Sequence, residues 1–441
     1  MKDGTRVIVI AVVGFAAFLA VGALTAPSQA DTGRANGPTL VTAFKGPGAD
    51  LSGSVAVLES DGSRRWTARG PLQYLGTHRV SDDRVLAAYQ DVHGDRVVTG
   101  VRILTTGNQT VWRWEYEVNG TFSTEVHDAE LLPNGDVLVA GMARERIFVV
   151  DRKAKRIVWQ WNASTFYKPP ADPTARDWLH INDVDRIGED RYLVSVRNAN
   201  QILVVERGVG VVEIINEDES DKNERNCRGI KNRQLIGNDP RCGDPAVLNH
   251  QHNPQWLGDG RVLVADSGNN RVVGLERVGD EWRVAWQLHS ANGLQFNWPR
   301  DADRLQNGHT LVLDTHNDRV VEVTRTGDVV WSTSISRLGY AALRNGSEYP
   351  AGPPYYNTSG AQTGINQPFA VVSIATSSLQ NAISLPYWIG EWHVLTGFAA
   401  AVLVLIGAGD SLWTYWRDRR DDPRSQDGMG EPSPITETND D

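Results

Sequence analysis

Two marks recur along this chain and predict an all-β, six-bladed β-propeller, with an N-terminal signal or anchor helix before it and a C-terminal transmembrane helix after it. The first is a histidine heading a unit of mixed residues, a Gly-containing turn and a V-L-V strand. It stands at His127 in HDAELLPNGDVLVAG, His180 in HINDVDRIGEDRYLVSV and His252 in HQHNPQWLGDGRVLVAD. The second is a strand ending in tryptophan, at Trp66, Trp112, Trp159, Trp286 and Trp331. Where no insertion intervenes, adjacent copies lie 45 to 47 residues apart; in one copy Gly208 to Ile215 stands in place of the Trp strand. Units of four short strands every 40 to 50 residues are the signature of a propeller.

The elements follow in order. Val7 to Leu24 is an uncharged 18-residue run behind Lys2 and Arg6, ending near Ser28-Gln29-Ala30, a small-x-small cleavage pattern. Residues 1–30 are therefore read as a signal peptide or an N-terminal membrane anchor. Residues 31–385 hold the propeller, with no amphipathic helical pattern of useful length. The third unit reads as strands His127–Leu132, Asp136–Gly141, Arg146–Asp151 and Arg156–Trp161, separated by turns such as Pro133-Asn134-Gly135. Gly53 to Gly70 holds only the last two strands of a blade, so the region Gly339 to Thr376 is expected to supply or cover the missing strands and close the ring. Asn216 to Asn249 is a charged insertion expected at one mouth of the ring. Residues 388–412 are read as a transmembrane helix, with Trp388 and Trp392 before the apolar run and Trp413, Tyr415 and Trp416 after it. A buried core helix is the alternative. Residues 413–441, with Arg417, Arg419, Arg420 and Arg424, are read as a disordered cytoplasmic tail. The basic residues at both ends place the propeller outside the cytoplasm, on the cell membrane.

Composition narrows the partners. A net charge of −10, with no basic stripe, excludes nucleic acid as the expected partner. The 7 Lys against 37 Arg hint at a salt-adapted or high-GC source without deciding it. Cys227 and Cys242 can close a loop of about 15 residues, worth roughly 3 kcal/mol in the chain-entropy model, or remain two thiols. Sequons at Asn108, Asn119, Asn162, Asn345 and Asn357 fit an outward face.

The innermost strand of each blade lines the channel, so His78, His127, His180, His252 and the pair Arg300-Asp301 are expected at its mouth. Each histidine read alone could simply bond to a neighbouring loop. His250 and His252 at i, i+2 could share a strand face and bind a metal, but no acidic partner accompanies them, and no metal or cofactor is expected. Asp266 to Val272 and Asp314 to Val320 read as structural turns tying two strands, and the tryptophans as packing between blades.

Asp177-Trp178-Leu179-His180-Ile181-Asn182-Asp183 followed by Ser195-Val196-Arg197 resembles the arylsulfate sulfotransferase family of six-bladed propellers, which carries W-x-H-x-N and S-x-R segments in this order. So do His127 ahead of Leu132-Pro133-Asn134-Gly135 and Gln251-His252 ahead of a strand ending in Asp266-Ser267-Gly268. The resemblance covers about Gly70 to Trp331. It implies transfer of a sulfuryl group from a phenolic sulfate ester to a phenol, without a nucleotide sulfate donor. His252 would attack sulfur. His180, Asn182 and Arg197 would hold the sulfuryl oxygens, and His127 would assist the leaving phenoxide. It also implies a disulfide shortly before the nucleophile. The chain departs from the family in lacking room for its extra N-terminal β-domain and in ending on a membrane helix. The rival expectation is a non-catalytic NHL- or quinoprotein-like propeller that scaffolds a cell-surface complex.

Overall fold

The computed structural model describes residues 3–26, 31–43, 52–120, 124–173, 177–217, 242–258, 260–335, 339–344 and, apart from 387 and 390, 386–420. The chain divides into two compact units, a pair of terminal helices and the domain between them.

The expected propeller is present as six four-stranded antiparallel sheets. Blade one runs Gln73–Ser81, Arg84–His93, Arg96–Thr105 and Thr110–Val118 from the channel outward. Blade two is Val126–Leu131, Val137–Gly141, Arg146–Asp151 and Arg156–Asn162, within about one residue of the strands read from the sequence. Blade three is Ile181–Gly188, Arg191–Val196, Gln201–Glu206 and Gly210–Ile215; blade four is His252–Gly258, Arg261–Asp266, Arg271–Val278 and Glu281–Leu288. Blade five is Pro299–Arg304, Thr310–Asp314, Arg319–Val323 and Val329–Ser334.

Blade six closes the ring differently from the expectation. The C-terminal side of the domain supplies one strand, Gly339–Arg344, and the N-terminal side supplies three, Thr39–Ala43, Ser54–Leu58 and Arg64–Arg69. The strand Thr39–Ala43 escaped the sequence reading because TLVTA is short and carries neither the histidine nor the tryptophan mark. Gly339–Arg344 pairs antiparallel with it, Thr39 opposite Arg344 and Val41 opposite Ala342. Thr42 Oγ1 accepts from Ala341 N at 3.1 Å, and Ala342 N donates to Asp301 Oδ2 in blade five at 2.8 Å, so the last strand is tied on both sides.

All five marker tryptophans lie on outermost strands, and Gly210–Ile215 takes the sixth place. Their packing crosses blades, as the sequence reading expected. Trp112 Nε1 of blade one donates to Arg152 O of blade two at 2.9 Å, and Trp286 Nε1 of blade four to Arg325 O of blade five at 3.2 Å. Arg304 sits 4.8 Å over the Trp286 ring and Arg344 4.7 Å over the Trp331 ring, each from the next blade's innermost strand. The buried face of each sheet is Val, Leu, Ile and Ala, so the core is a series of layers between neighbouring blades.

The two structural turns repeat one device. Asp266 accepts from Asn269 Nδ2 at 2.8 Å and Arg271 Nε at 2.7 Å; Asp314 accepts from Asn317 Nδ2 at 2.7 Å and Arg319 Nε at 2.8 Å. Each buried carboxylate thus ties the second strand of its blade to the start of the third.

The helices Asp3–Thr25 and Glu391–Arg420 are each long and apolar enough to cross a membrane. They run antiparallel: a Cβ on Gly4 would fall 2.4 Å from Gly407 O, and one on Gly22 2.5 Å from His393 Nε2. Small residues let the two backbones approach. The second helix runs on to Arg420, past the boundary at 412, because Trp413 to Arg420 contains no helix breaker. Cys242 is buried, while Cys227, Asn345, Asn357 and the stretch 218–241 of the insertion lie outside the described residues, and with them the expected disulfide pairing and the position of that loop.

Candidate functional site

The site is built where the chain enters innermost strands. His127 is the second residue of Val126–Leu131, His252 the first of His252–Gly258, and His180 immediately precedes Ile181–Gly188. Repetition of one position in neighbouring blades brings them together: the rings of His127 and His180 lie 4.8 Å apart between centroids. All three are buried. His78 does not join them. It lies in the middle of Gln73–Ser81, opposite Leu86, because blade one's innermost strand starts five residues before it, at Gln73.

Each ring is held through Nδ1. His252 Nδ1 lies 2.8 Å from Ser267 Oγ and 3.1 Å from the carbonyl of His250. The Ser267 hydroxyl donates to Pro299 O, so toward His252 its oxygen accepts. The His250 carbonyl also only accepts. His252 therefore carries its proton on Nδ1, and Nε2 holds the ring's lone pair. His180 Nδ1 lies 2.6 Å from Asp177 Oδ1, whose other oxygen takes Arg197 Nη2 at 3.2 Å. Burial opposes ionisation of Asp177, but the charges of His180 and Arg197 outweigh it and hold the carboxyl well below its ordinary value. His127 Nδ1 lies 2.8 Å from Tyr340 Oη.

Burial pushes His252 and His127 well below the ordinary imidazole value of 6.5, with positive charge nearby acting in the same direction. On His252 the largest charged contributors are Arg300 and Arg197. Arg300, from blade five, is itself lowered to about 10 by burial. The sequence reading placed Arg300 at the mouth from its strand position and gave it no role.

The backbone beneath His180 is set by a residue that the sequence reading passed over. Glu145 is buried, in a left-handed conformation at φ 45°, and accepts from the N–H groups of Leu179, His180 and Ile181 at 3.1, 2.7 and 2.9 Å. Burial raises its carboxyl above the ordinary value, while the three donors, shared between both oxygens, favour the carboxylate. His180 also stands at positive φ, 57°, a conformation costly for a side chain with a Cβ and held here by the clamp.

Asn182 is the second residue of Ile181–Gly188 and is buried. Its Nδ2 donates to Gln251 O at 2.8 Å, so the amide braces the segment that carries His252. His250 does not share a strand face with His252: at φ 50° it lies outside the strand, and its Nδ1 meets Asn249 Oδ1 at 2.6 Å. Among the described residues, three ligand-type side chains gather closely enough for a metal at Asp128, Asp183 and Asp185, within 4.8 Å of one another. Trp298 stands beside the nucleophile candidate, 6.2 Å from the His252 ring and stacked on His316 at 5.9 Å.

Fold and site together define a six-bladed propeller with a buried cluster of histidines and arginines where innermost strands of successive blades begin. The chain belongs to the arylsulfotransferase family, whose model matches residues 50–279. No curated protein matches the chain. Among solved structures it is similar to a protein of unknown function from Bacteroides caccae, at 15% identity and a TM-score of 0.48, over 70% of this chain and 98% of that one. It is also similar to the periplasmic gluconolactonase of Pseudomonas aeruginosa, at 12% identity and a TM-score of 0.43, over 70% and 85%. A third is virginiamycin B lyase from Staphylococcus aureus, at 11% identity and a TM-score of 0.36, over 60% and 70%.

Proposed function

We propose that the protein is a membrane-anchored arylsulfotransferase. It moves a sulfuryl group from a phenolic sulfate ester to a phenol through a sulfated His252. One observation carries the reading: both partners of His252 Nδ1 are acceptors, which leaves Nε2 as a neutral nucleophile among guanidinium groups. A sulfuryl group in transfer spreads negative charge over its equatorial oxygens. Fixed guanidinium donors in a buried site stabilise that charge without reorganising. Arg197 and His180, both paired with Asp177, would do that work together with Arg300. In the first half-reaction His252 Nε2 bonds to sulfur and the phenoxide leaves. In the second, the acceptor oxygen bonds to sulfur, the N–S bond breaks, and the acceptor's proton passes to His127. The two apolar helices anchor the protein, and the basic residues around both termini favour a propeller facing out of the cytoplasm.

The test uses the full-length protein in detergent with p-nitrophenyl sulfate and a phenol acceptor. Nitrophenol release that requires both the acceptor and His252, with ping-pong kinetics, is the expected result. His252→Ala is expected to lose at least about 10³-fold in turnover. Undiminished transfer by His252→Ala would sink the assignment.

A further inference from the structure

The site holds a residue from outside the family-matched segment 50–279. Tyr340 lies on Gly339–Arg344, the innermost strand of blade six. Its side chain spans the channel: Oη meets His127 Nδ1 of blade two at 2.8 Å and the carbonyl of Asn182 at 3.1 Å, in blade three, which faces blade six across the ring. Its ring lies 5.5 Å from His127 and 6.3 Å from His252 between centroids, and Arg300 approaches within 6.0 Å of its face. Tyr340 is thus a buried crossbar beneath both histidines.

The hydroxyl has one proton, and the Asn182 carbonyl can only accept it. Toward His127 the phenol oxygen therefore accepts, and His127 carries its proton on Nδ1. His127 Nε2 is then a lone pair, and it is buried with no hydrogen-bond partner among the described residues. Burial, reinforced by Asp183, keeps the phenol un-ionised, so the single-donor arrangement persists at ordinary pH.

We propose that Tyr340 is a positioning residue that fixes the Nδ1–H tautomer of His127, making its Nε2 the base that receives the acceptor phenol's proton. This rests on the proposed sulfuryl transfer and says which atom does which half of it. On discharge, the acceptor O–S bond forms and the His252 Nε2–S bond breaks. His252 returns to its neutral Nδ1–H form, and the acceptor's proton moves to His127 Nε2, giving an imidazolium. That proton is available to the next leaving phenoxide, so protons balance over a full cycle.

The half-reactions separate the role from mere packing. The full-length enzyme without acceptor, given p-nitrophenyl sulfate, is expected to release about one equivalent of nitrophenol and gain a sulfuryl group on His252. Tyr340→Phe is expected to do the same within about 3-fold, because nitrophenolate leaves without a proton. Discharge of the isolated sulfo-enzyme to unsubstituted phenol is expected to slow about 10- to 100-fold in the variant. Discharge to pentafluorophenol, already ionised at neutral pH, is expected to match the wild type. Equal slowing with both acceptors, or no slowing with either, overturns the proposal. Absence of sulfated His252 in the wild type overturns the underlying transfer reaction instead. If Tyr340→Phe does not fold, long-range 15N–1H spectra of histidine-labelled wild type decide. A His127 pattern with protonated Nδ1 supports the proposal, and protonated Nε2 rejects it.

Discussion

The proposed nucleophile and the proposed proton acceptor are neutral for the same physical reason. His127 and His252 are buried beside Arg197 and Arg300, so each ring resists a further positive charge. Their folded-state values lie below 6.5, so the folded protein binds fewer protons than the unfolded chain as pH falls through and below that value. Activity should therefore persist under conditions that protonate an ordinary histidine. The acid limb of the first half-reaction, measured by rapid mixing at each pH, is expected well below pH 6.5. A limb at 6.5 or above would show that His252 is not the group that attacks. The linkage works against stability in the same window: melting temperature is expected to decline as pH drops below 6.5, since these rings gain protons only on unfolding. Following rate and melting separately distinguishes loss of the nucleophile from loss of the fold. The residues that set this behaviour were unequally legible. His127, His180, His252, Asn182 and Arg197 sit in repeated or ordered text. Tyr340 lies in a strand without a marker, and its role depends on a contact 213 residues away in sequence.

At the level of elements, the site depends on a clamp between blades. Glu145 follows the second strand of blade two, yet its carboxylate gathers three consecutive N–H groups ahead of blade three's first strand. Glu145→Gln keeps the size and replaces one acceptor oxygen by an amide donor facing N–H groups. The expected cost is about 1–3 kcal/mol in unfolding free energy, measured by urea titration. Donor kcat/KM is expected to fall about 10-fold or more as His180 loses its fixed backbone. A variant with wild-type stability and rate would show the clamp to be incidental. Nothing in the text Arg144-Glu145-Arg146 announces this, because a charged residue between two arginines reads as surface. The repeat itself was readable, since alternation within strands, Gly turns and the tryptophan spacing are local. The Asp266–Arg271 and Asp314–Arg319 devices were readable too, because both partners lie within six residues.

At the level of the whole molecule, the ring is fastened by a strand from one end of the domain pairing with a strand from the other. The sequence reading anticipated that closure without its division into three strands and one, because pairing across roughly 300 residues leaves no local trace. The fastening strand is also the one that carries Tyr340. In a urea series, discharge of sulfated His252 to phenol is expected to fail at a lower concentration than the loss of tryptophan fluorescence from blades two to five. Coincident transitions would mean that the clasp opens only with the whole ring. The order of synthesis adds a further consequence. A growing chain presents blades one to four, His252 included, before Gly339–Arg344 exists. Such a chain has its proposed nucleophile but neither its crossbar nor the seal on its last blade. On the proposed mechanism it also lacks Arg300, so neither charging nor discharge is expected to reach its full rate until the circle is complete.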